Sequence, residues 1–198
     1  MSGTRPSRRS DTRQRIQSVA LDLFAEQGYE KTSLREIAER LDVTKAALYY
    51  HFKTKEDILS SIYADMTRPV DELIGWAREQ PPTLETKLEV LRRYGASLGG
   101  AQPLFRFMQE NQATLRELKI RHSLKERMMD LVGVMVPPDA PLPTRLRAVT
   151  AFMSLHAGVF GLDAVGGSAD ERMAASLEIA GELITAAHTA TGAEPSSR

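Results

Sequence analysis

The chain has 198 residues with 26 basic and 26 acidic side chains, so its formal net charge is zero. It contains no cysteine, which excludes a disulfide framework and a thiolate metal site. No apolar run approaches the roughly 18 residues of a membrane span, and no hydrophobic stretch follows the arginine-rich N-terminus as it would in a secretory signal. We therefore expect a cytoplasmic protein that has no membrane partner.

Charge is distributed unevenly along the chain, which bears on nucleic-acid binding. Residues 1–15 hold five arginines against one aspartate, whereas residues 61–198 hold 15 basic and 17 acidic side chains. Contacts to phosphate need local rather than global positive charge. The arginine-rich start is therefore either a nucleic-acid contact or a disordered solubilising arm, since it has no hydrophobic periodicity.

Two helices are predicted before the first break in the pattern. Asp11 can cap the first helix, and Gly28 is a typical residue just beyond a helix C-terminus. The second helix begins at Ser33, because Ser33 and Glu36 form a capping-box pattern. Apolar residues recur at three- and four-residue intervals along the first helix: Ile16, Val19, Ala20, Leu23 and Phe24.

A third predicted helix follows a short break and is capped by Thr44. Leu48 and Phe52 lie one turn apart and can pack inward. The other side of the helix combines small residues, phenols, a lysine and a histidine: Lys45, Ala46, Ala47, Tyr49, Tyr50 and His51. Small side chains allow close approach to a major groove, while hydroxyls and cations reach phosphate. This pattern favours a helix-turn-helix, and a short amphipathic helix with incidental tyrosines is the alternative.

The same region contains four characteristic runs of sequence: FAEQGY at 24–29, TSLREIA at 32–38, VTK at 43–45 and LYYHFKTKE at 48–56. Together they resemble the N-terminal domain of TetR-family transcriptional regulators over about residues 11–60. The resemblance implies an all-α fold of about nine helices. It divides the chain into a helix-turn-helix, three-helix DNA-binding domain at residues 10–60 and a helical ligand-binding and dimerisation domain at residues 61–190.

The resemblance also implies which residues contact an operator in double-stranded DNA: Ser33, Thr44, Lys45, Ala46, Ala47, Tyr49, Tyr50, His51 and Lys55. Lys55 opens a predicted fourth helix and is expected to act mainly on phosphate. Pro69 lies in the path of that helix and either kinks or splits it, and Pro81 with Pro82 ends it. Four or five further helices follow to about residue 190, without a convincing strand.

The last two predicted helices carry small residues that leave shallow faces. Helices with such faces pack closely, either within one chain or across the two-fold axis of a homodimer. The resemblance favours the homodimer. The predicted interface consists of Ala157, Gly158, Gly161, Leu177, Ala180, Gly181 and Ile184.

Apolar and soft side chains on the central helices are candidates for a ligand site: Trp76, Tyr94, Phe105, Met108, Met128, Met153 and His156. Phe107 has the same character. Such stripes at helical spacing are also typical of a plain core. His156 lies among apolar neighbours, a setting that favours a hydrogen-bonded core histidine over a ligand contact. If the site exists, its apolar lining predicts a small hydrophobic effector.

No sequence motif of an enzyme is present: the chain has no HExxH, P-loop or GxSxG pattern, and its four histidines are scattered. We therefore expect no catalytic residue, metal or cofactor. The chain is interpreted as a ligand-responsive transcriptional regulator, a repressor as is usual in the family, that binds an inverted-repeat operator as a dimer. The alternatives are an all-α small-molecule-binding or catalytic protein, and a helical dimeric adaptor without operator binding.

Overall fold

The computed structural model describes residues 8–99, 107, 120–160 and 165–192. These ranges contain eight α-helices and no strand, so the all-α prediction is confirmed there. None of the eight is long and apolar enough to cross a membrane. The helices are α1 (Arg8–Gln27), α2 (Leu34–Arg40), α3 (Lys45–His51), α4 (Lys55–Arg78), α5 (Leu84–Leu98), α6 (Ile120–Met135), α7 (Leu142–Phe160) and α8 (Ala169–Gly192).

The described residues form two compact units, and the division falls within α4 between Met66 and Thr67. The first unit contains α1, α2, α3, the first half of α4, and Phe107. The second contains the rest of α4, α5, α7, α8, and α6 from Arg121 onward.

Helix α1 begins at Arg8, before the expected Asp11 cap, and Asp11 lies in its first turn instead. A carboxylate is favourable there because it faces the positive end of the helix dipole. Beyond the last residue of α1, Gly28 adopts a φ of 92° and its amide donates to the carbonyl of Phe24 at 3.1 Å. The sequence prediction of this C-terminal glycine is confirmed, and it matters because a left-handed φ is unfavourable for other residues.

The core of the first unit joins the first four helices. Each fully buried leucine, isoleucine or phenylalanine contributes on the order of 1.5–3 kcal/mol. The side-chain amide of Gln17 adds polar contacts between α1 and α4. It donates hydrogen bonds to the Ser61 hydroxyl at 2.9 Å and to the Asp65 carboxylate at 2.8 Å. The main apolar residues of this core are Ile16, Leu23, Phe24, Tyr29, Ile37, Leu48, Phe52, Ile58, Leu59 and Phe107.

Asp42 builds the turn between α2 and α3 in place of the glycine common in such turns, and it adopts a left-handed φ of 54°. Its amide donates to the Glu39 carbonyl at 3.2 Å, and the Val43 amide donates to the Ala38 carbonyl at 3.0 Å. This pair of bonds is a Schellman closure of α2. Aspartate is one of the few residues besides glycine and asparagine that visit this conformation readily.

Helix α4 continues through Pro69 without splitting, from Lys55 to Arg78. The proline ring is exposed, so its missing amide lies on the solvent side. Leu73 and Ile74, one turn further on, are buried and fix the second half of the helix in the core of the second unit. Burial on the inner side therefore offsets the local cost of the proline.

The second unit is built around the packing of α8 against α7, with α5 packed against both. A Cβ built at Gly158 of α7 would lie 3.0 Å from the Cβ of Ser176 and 3.0 Å from the carbonyl oxygen of Arg172. Only glycine allows α7 and α8 to approach so closely at this point. The side chains of this core that are exposed by no more than 1% include Leu91, Leu131, Met135, Phe152, Leu155 and Ile184.

Candidate nucleic-acid interface

Helix α3 is held by its two ends and by one buried side. The Thr44 hydroxyl accepts a hydrogen bond from the Ala47 amide at 3.2 Å, which fixes the N-terminus. Leu48 and Phe52 are buried to 0% and 2% exposure. The guanidinium of Arg13 in α1 lies 4.4 Å from the centre of the Phe52 ring. These contacts fix the opposite side of α3 toward solvent.

That solvent side, which we call the reading face, consists of Lys45, Ala46, Ala47, Tyr49, Tyr50 and His51. Lys45, Ala46 and Ala47 are exposed, and Tyr50 exposes 65% of its surface. The Tyr50 ring packs edge-to-face on His51 with 5.3 Å between ring centres. The Lys45 ammonium lies 5.4 Å from the centre of the Tyr49 ring. The face thus combines a close-approach surface of methyl groups with cations and phenols that can reach phosphate or base edges.

Ser33 is the N-cap residue of α2. Its hydroxyl accepts from the Glu36 amide at 3.3 Å, and the Glu36 carboxylate accepts from the Ser33 amide at 2.7 Å. The predicted capping box is confirmed. Hydrogen bonds from Ser33 lower the pKa of Glu36 from its ordinary value, since they favour the charged carboxylate. Ser33 remains exposed, so its position next to a phosphate stays a prediction.

Lys55, which the resemblance assigns to phosphate, makes several contacts within the first unit, and its role on DNA stays a prediction. Its ammonium donates to the Tyr29 carbonyl at 2.9 Å and lies 4.2 Å from the centre of the Tyr29 ring. It also lies 3.6 Å from the Glu30 carboxylate, and the side chain is only 20% exposed. Lys55 therefore joins the start of α4 to the loop after α1, and its donors are largely occupied inside the unit.

Lys53 is a further exposed cation beside the reading face, and the predicted set of DNA contacts does not include it. It lies in the loop between α3 and α4, and its ammonium donates to the carbonyl of Tyr49 at 2.8 Å. The sequence signal was present, because Lys53 opens the KTKE run. Spacing alone could not tell which lysine of that run is buried.

The first unit matches the family model for bacterial regulatory proteins of the tetR family over residues 16–62. Over 63 residues the chain is 48% identical to the transcriptional regulator AcrR of Shigella flexneri, which covers 32% of this chain and 29% of AcrR. It is also 27% identical over 122 residues to a probable acrEF/envCD operon repressor of Escherichia coli K12, which covers 59% of this chain and 56% of that protein.

These matches identify residues 16–62 as a regulatory domain of the tetR type. The chain spans less than a third of the length of AcrR in that match. A transcriptional regulator of Aquifex aeolicus VF5 has a similar fold, with a TM-score of 0.65 over 84% of this chain and 96% of that chain at 20% identity. The matched relatives are transcriptional regulators, which are not enzymes, and this favours the regulator interpretation over the catalytic alternative.

The ligand residues expected from the sequence are only partly brought together. The Tyr94 hydroxyl and His156 Nε2 are 2.6 Å apart, and Phe152 packs edge-to-face on Tyr94. Burial raises the pKa of Tyr94 and lowers that of His156, so both groups are neutral near pH 7. Trp76 lies under the guanidinium of Arg93, 3.9 Å from its ring centre.

The other ligand candidates lie elsewhere. Met128 packs against the core of the second unit, and Met153 is 42% exposed on α7. Phe105 and Met108 fall outside the described residues. Phe107 belongs to the first unit, where its ring centre lies 5.6 Å from that of Phe24, so it is core there and not a ligand contact.

Three of the predicted interface residues are buried within the single chain. Gly158 lies against Ser176, while Ala180 and Ile184 are both 0% exposed, so none of the three offers a surface to a second copy. This corrects their assignment: the small Gly158 and Ala180 and the buried Ile184 serve the packing of α8 inside the chain. Leu177, Gly181 and Ala157 are partly buried, and Gly161 lies outside the described residues.

Proposed function

We propose that this chain is a TetR-family repressor that binds an inverted-repeat operator as a homodimer and leaves it when a small hydrophobic molecule binds. The observation that carries the proposal is the reading face of α3. After the Thr44 cap, the helix begins with Lys45 and two small alanines. The aromatic side chains of Tyr49, Tyr50 and His51 follow them. Helices of this kind enter the major groove in helix-turn-helix proteins.

The reading face supports a division of labour among its residues. Ala46 and Ala47 let the backbone approach base edges, and larger residues there would change which bases fit. Tyr49, Tyr50 and His51 present hydroxyl and ring N–H groups to phosphates and bases. Lys45, together with Lys53 in the following loop, supplies the positive charge that makes binding depend on salt. Because contacts to phosphate depend on such local positive charge, the zero net charge of the whole chain does not argue against DNA binding.

Dimerisation is supported by a different set of residues from the one first expected. Leu142, Leu146 and Met153 are 60%, 53% and 42% exposed, and they lie four and seven residues apart on one side of α7. Ile179 of α8 is 50% exposed. Two-fold pairing of α7 and α8 with a second copy would bury these side chains. Two recognition helices would then be spaced for successive major grooves, about 34–36 Å apart.

The pair of Tyr94 and His156 supports the location of the effector site. Both side chains are mostly buried and neutral, and they are enclosed by aromatic rings, a setting that suits an uncharged or aromatic molecule. An effector releases DNA only to the extent that it binds the released conformation more tightly. A tenfold loss of operator affinity needs about 1.4 kcal/mol of such preference.

The decisive experiment is binding of the protein to the DNA upstream of its own gene, measured by fluorescence anisotropy over a series of salt concentrations. We expect specific binding that weakens steeply with salt, since cations displaced from phosphate drive it. A scrambled duplex of equal length is the control. Equal affinity for both duplexes, or no salt-dependent binding at all, would support the ligand-binding or adaptor alternatives instead.

Assembly is tested by sedimentation of the Leu146→Glu variant at micromolar concentration. A charge within an apolar interface has no partner there, so we expect a monomer that binds operator poorly. Met129→Glu is the matched control, because Met129 is 54% exposed on α6 and outside the proposed interface. A wild-type protein that sediments as a monomer contradicts the proposed assembly.

A further inference from the structure

A buried lysine lies in the second unit and belongs to none of the sites described above. Lys87, in the first turn of α5, is only 6% exposed. Its ammonium lies 3.1 Å from Nδ1 of His188 in α8. Among the described residues, no carboxylate is within ion-pair distance of Lys87.

This environment is unfavourable for an isolated ammonium group. Burial without a counter-charge disfavours the charged form, and it lowers the pKa of Lys87 from its ordinary value. His188 compensates only in part, because a neutral imidazole offers one acceptor and no charge. If Nδ1 accepts from Lys87, the neutral ring carries its proton on Nε2, which is left as a second donor.

Two adjoining cavities meet at this lysine, with volumes of about 410 Å³ and about 280 Å³. Both are lined by Pro82, Lys87, Gly133 and Val134. Apolar groups of α6 and the residues after it form much of the larger cavity, and its described lining contains no acidic side chain. The smaller cavity also lacks an acid among its described residues, and its one further cation, Arg78, is already paired with Asp130 at 2.8 Å.

We propose that Lys87 and His188 bind the carboxylate of an apolar monocarboxylic acid. The carboxylate would accept from the Lys87 ammonium and from Nε2–H of His188, and it would lie near the positive end of the α5 dipole. The hydrocarbon part would occupy the larger cavity along Val134, Val136 and Pro137. A single buried cation with apolar walls suits a monoanion, whereas a phosphate dianion would need further donors that the described lining does not supply.

This site is distinct from the pair of Tyr94 and His156, since neither residue lines the two cavities. Occupancy is independent of the proposed DNA-binding role, because the carboxylate contacts only residues of the second unit. Binding can therefore be measured on the full chain without any DNA.

The test uses isothermal titration calorimetry at neutral pH with octanoate, octan-1-ol and benzoate as probes. We expect octanoate to bind at least tenfold more tightly than octan-1-ol, which has the same chain without the charge. Lys87→Met keeps the length and removes the ammonium, so it should weaken octanoate at least tenfold. Lys125→Met, at an exposed lysine of α6, is the matched control and should bind octanoate like the wild type.

A second variant keeps the test decisive if Lys87→Met fails to fold. Gly133 lines both cavities, and a Cβ built there meets nothing within 4 Å. Gly133→Leu starts from this open space and would place its side chain in the cavities, so we expect it to fold and to lose octanoate binding. Unchanged octanoate binding in either folded variant overturns the proposal. Equal binding of octan-1-ol and octanoate, or no binding of any probe at millimolar concentration, overturns it as well.

Discussion

Two helix pairs of this chain use small residues for opposite purposes. In α2 and α3, the alanines at 46 and 47 are exposed, because Leu48 and Phe52 hold the other side of α3 in the core. In α7 and α8, Gly158 and Ala180 are buried, because the two helices pack against each other there. The small side chains let α7 and α8 approach each other, whereas in α3 they remain on the solvent side and leave that face free of bulk.

Whether a small residue faces solvent or a neighbouring helix depends on where the large apolar side chains of its own helix lie. A seven-residue helix such as α3 has two large apolar side chains on one side, so the direction of every other residue follows from the helical period. Helix α7 has apolar side chains around much of its circumference, with Phe152 and Leu155 buried and Leu146 and Met153 exposed. Its period alone does not separate the side facing α8 from the side facing solvent.

The largest expected effect is on stability, at the buried glycine of α7. Gly158→Leu would place a side chain where even a Cβ lies 3.0 Å from Ser176 and Arg172. We expect the free energy of unfolding to fall by about 3 kcal/mol, the upper part of the range for overpacking. Urea denaturation followed by circular dichroism measures it. Gly75→Ala in α4 is the control, because its Cβ meets nothing within 4 Å, and it should gain up to about 1 kcal/mol.

This prediction also sharpens the question of the dimer. If Gly158 lay in an interface, a substitution there would produce a folded monomer. We expect a less stable chain, detectable at every protein concentration. A Gly158→Leu protein that has wild-type stability but sediments with half the mass of the wild-type dimer would place Gly158 in the dimer interface instead.

The second effect is on DNA affinity at the reading face. Tyr50 is 65% exposed, so Tyr50→Ala should leave stability almost unchanged while weakening operator binding by about 1–3 kcal/mol. Fluorescence anisotropy against the operator measures the loss. Tyr50→Phe separates the ring from its hydroxyl. A folded Tyr50→Ala protein with wild-type affinity would remove Tyr50 from the reading face.

How far the sequence could predict this molecule depends on the range of the interactions involved. Caps at Ser33 and Thr44 and the glycine after α1 are local, so the boundaries of α2 and α3 were predicted. The contact of Lys55 with Tyr29 was not predicted, because the two residues lie 26 positions apart and no helical period relates them. The same holds for Phe107, which packs on Phe24 across more than eighty residues.

We expect substitutions of Lys53 and Lys55 to have opposite effects on stability and on operator binding. Lys55→Met removes a hydrogen bond to the Tyr29 carbonyl and a cation–π contact, so we expect a loss of about 1–2 kcal/mol in the free energy of unfolding. Lys53→Met should change stability by less than about 0.5 kcal/mol, because the side chain is exposed. Operator binding should respond in the reverse order, with Lys53→Met lowering the salt slope by about one.

The two variants are compared in one series of urea denaturation and anisotropy measurements. Equal stability of both would mean that the contacts of Lys55 contribute nothing. A Lys55→Met protein that is fully stable but has a reduced salt slope would restore Lys55 as a phosphate contact.

The smallest expected effect concerns the turn that sets α3 against α2. Asp42 has a φ of 54°, a conformation that costs an alanine roughly 1 kcal/mol and a glycine nothing. Asp42→Ala should therefore lower the free energy of unfolding by about 1 kcal/mol, whereas Asp42→Gly should stay within about 0.5 kcal/mol of the wild type. Both are measured by urea denaturation, with operator affinity as a second readout, because the turn fixes the direction of the reading face. If Asp42→Ala is as stable as Asp42→Gly, the preference of residue 42 for the left-handed conformation does not stabilise the turn, and the two hydrogen bonds from the amides of residues 42 and 43 hold it alone.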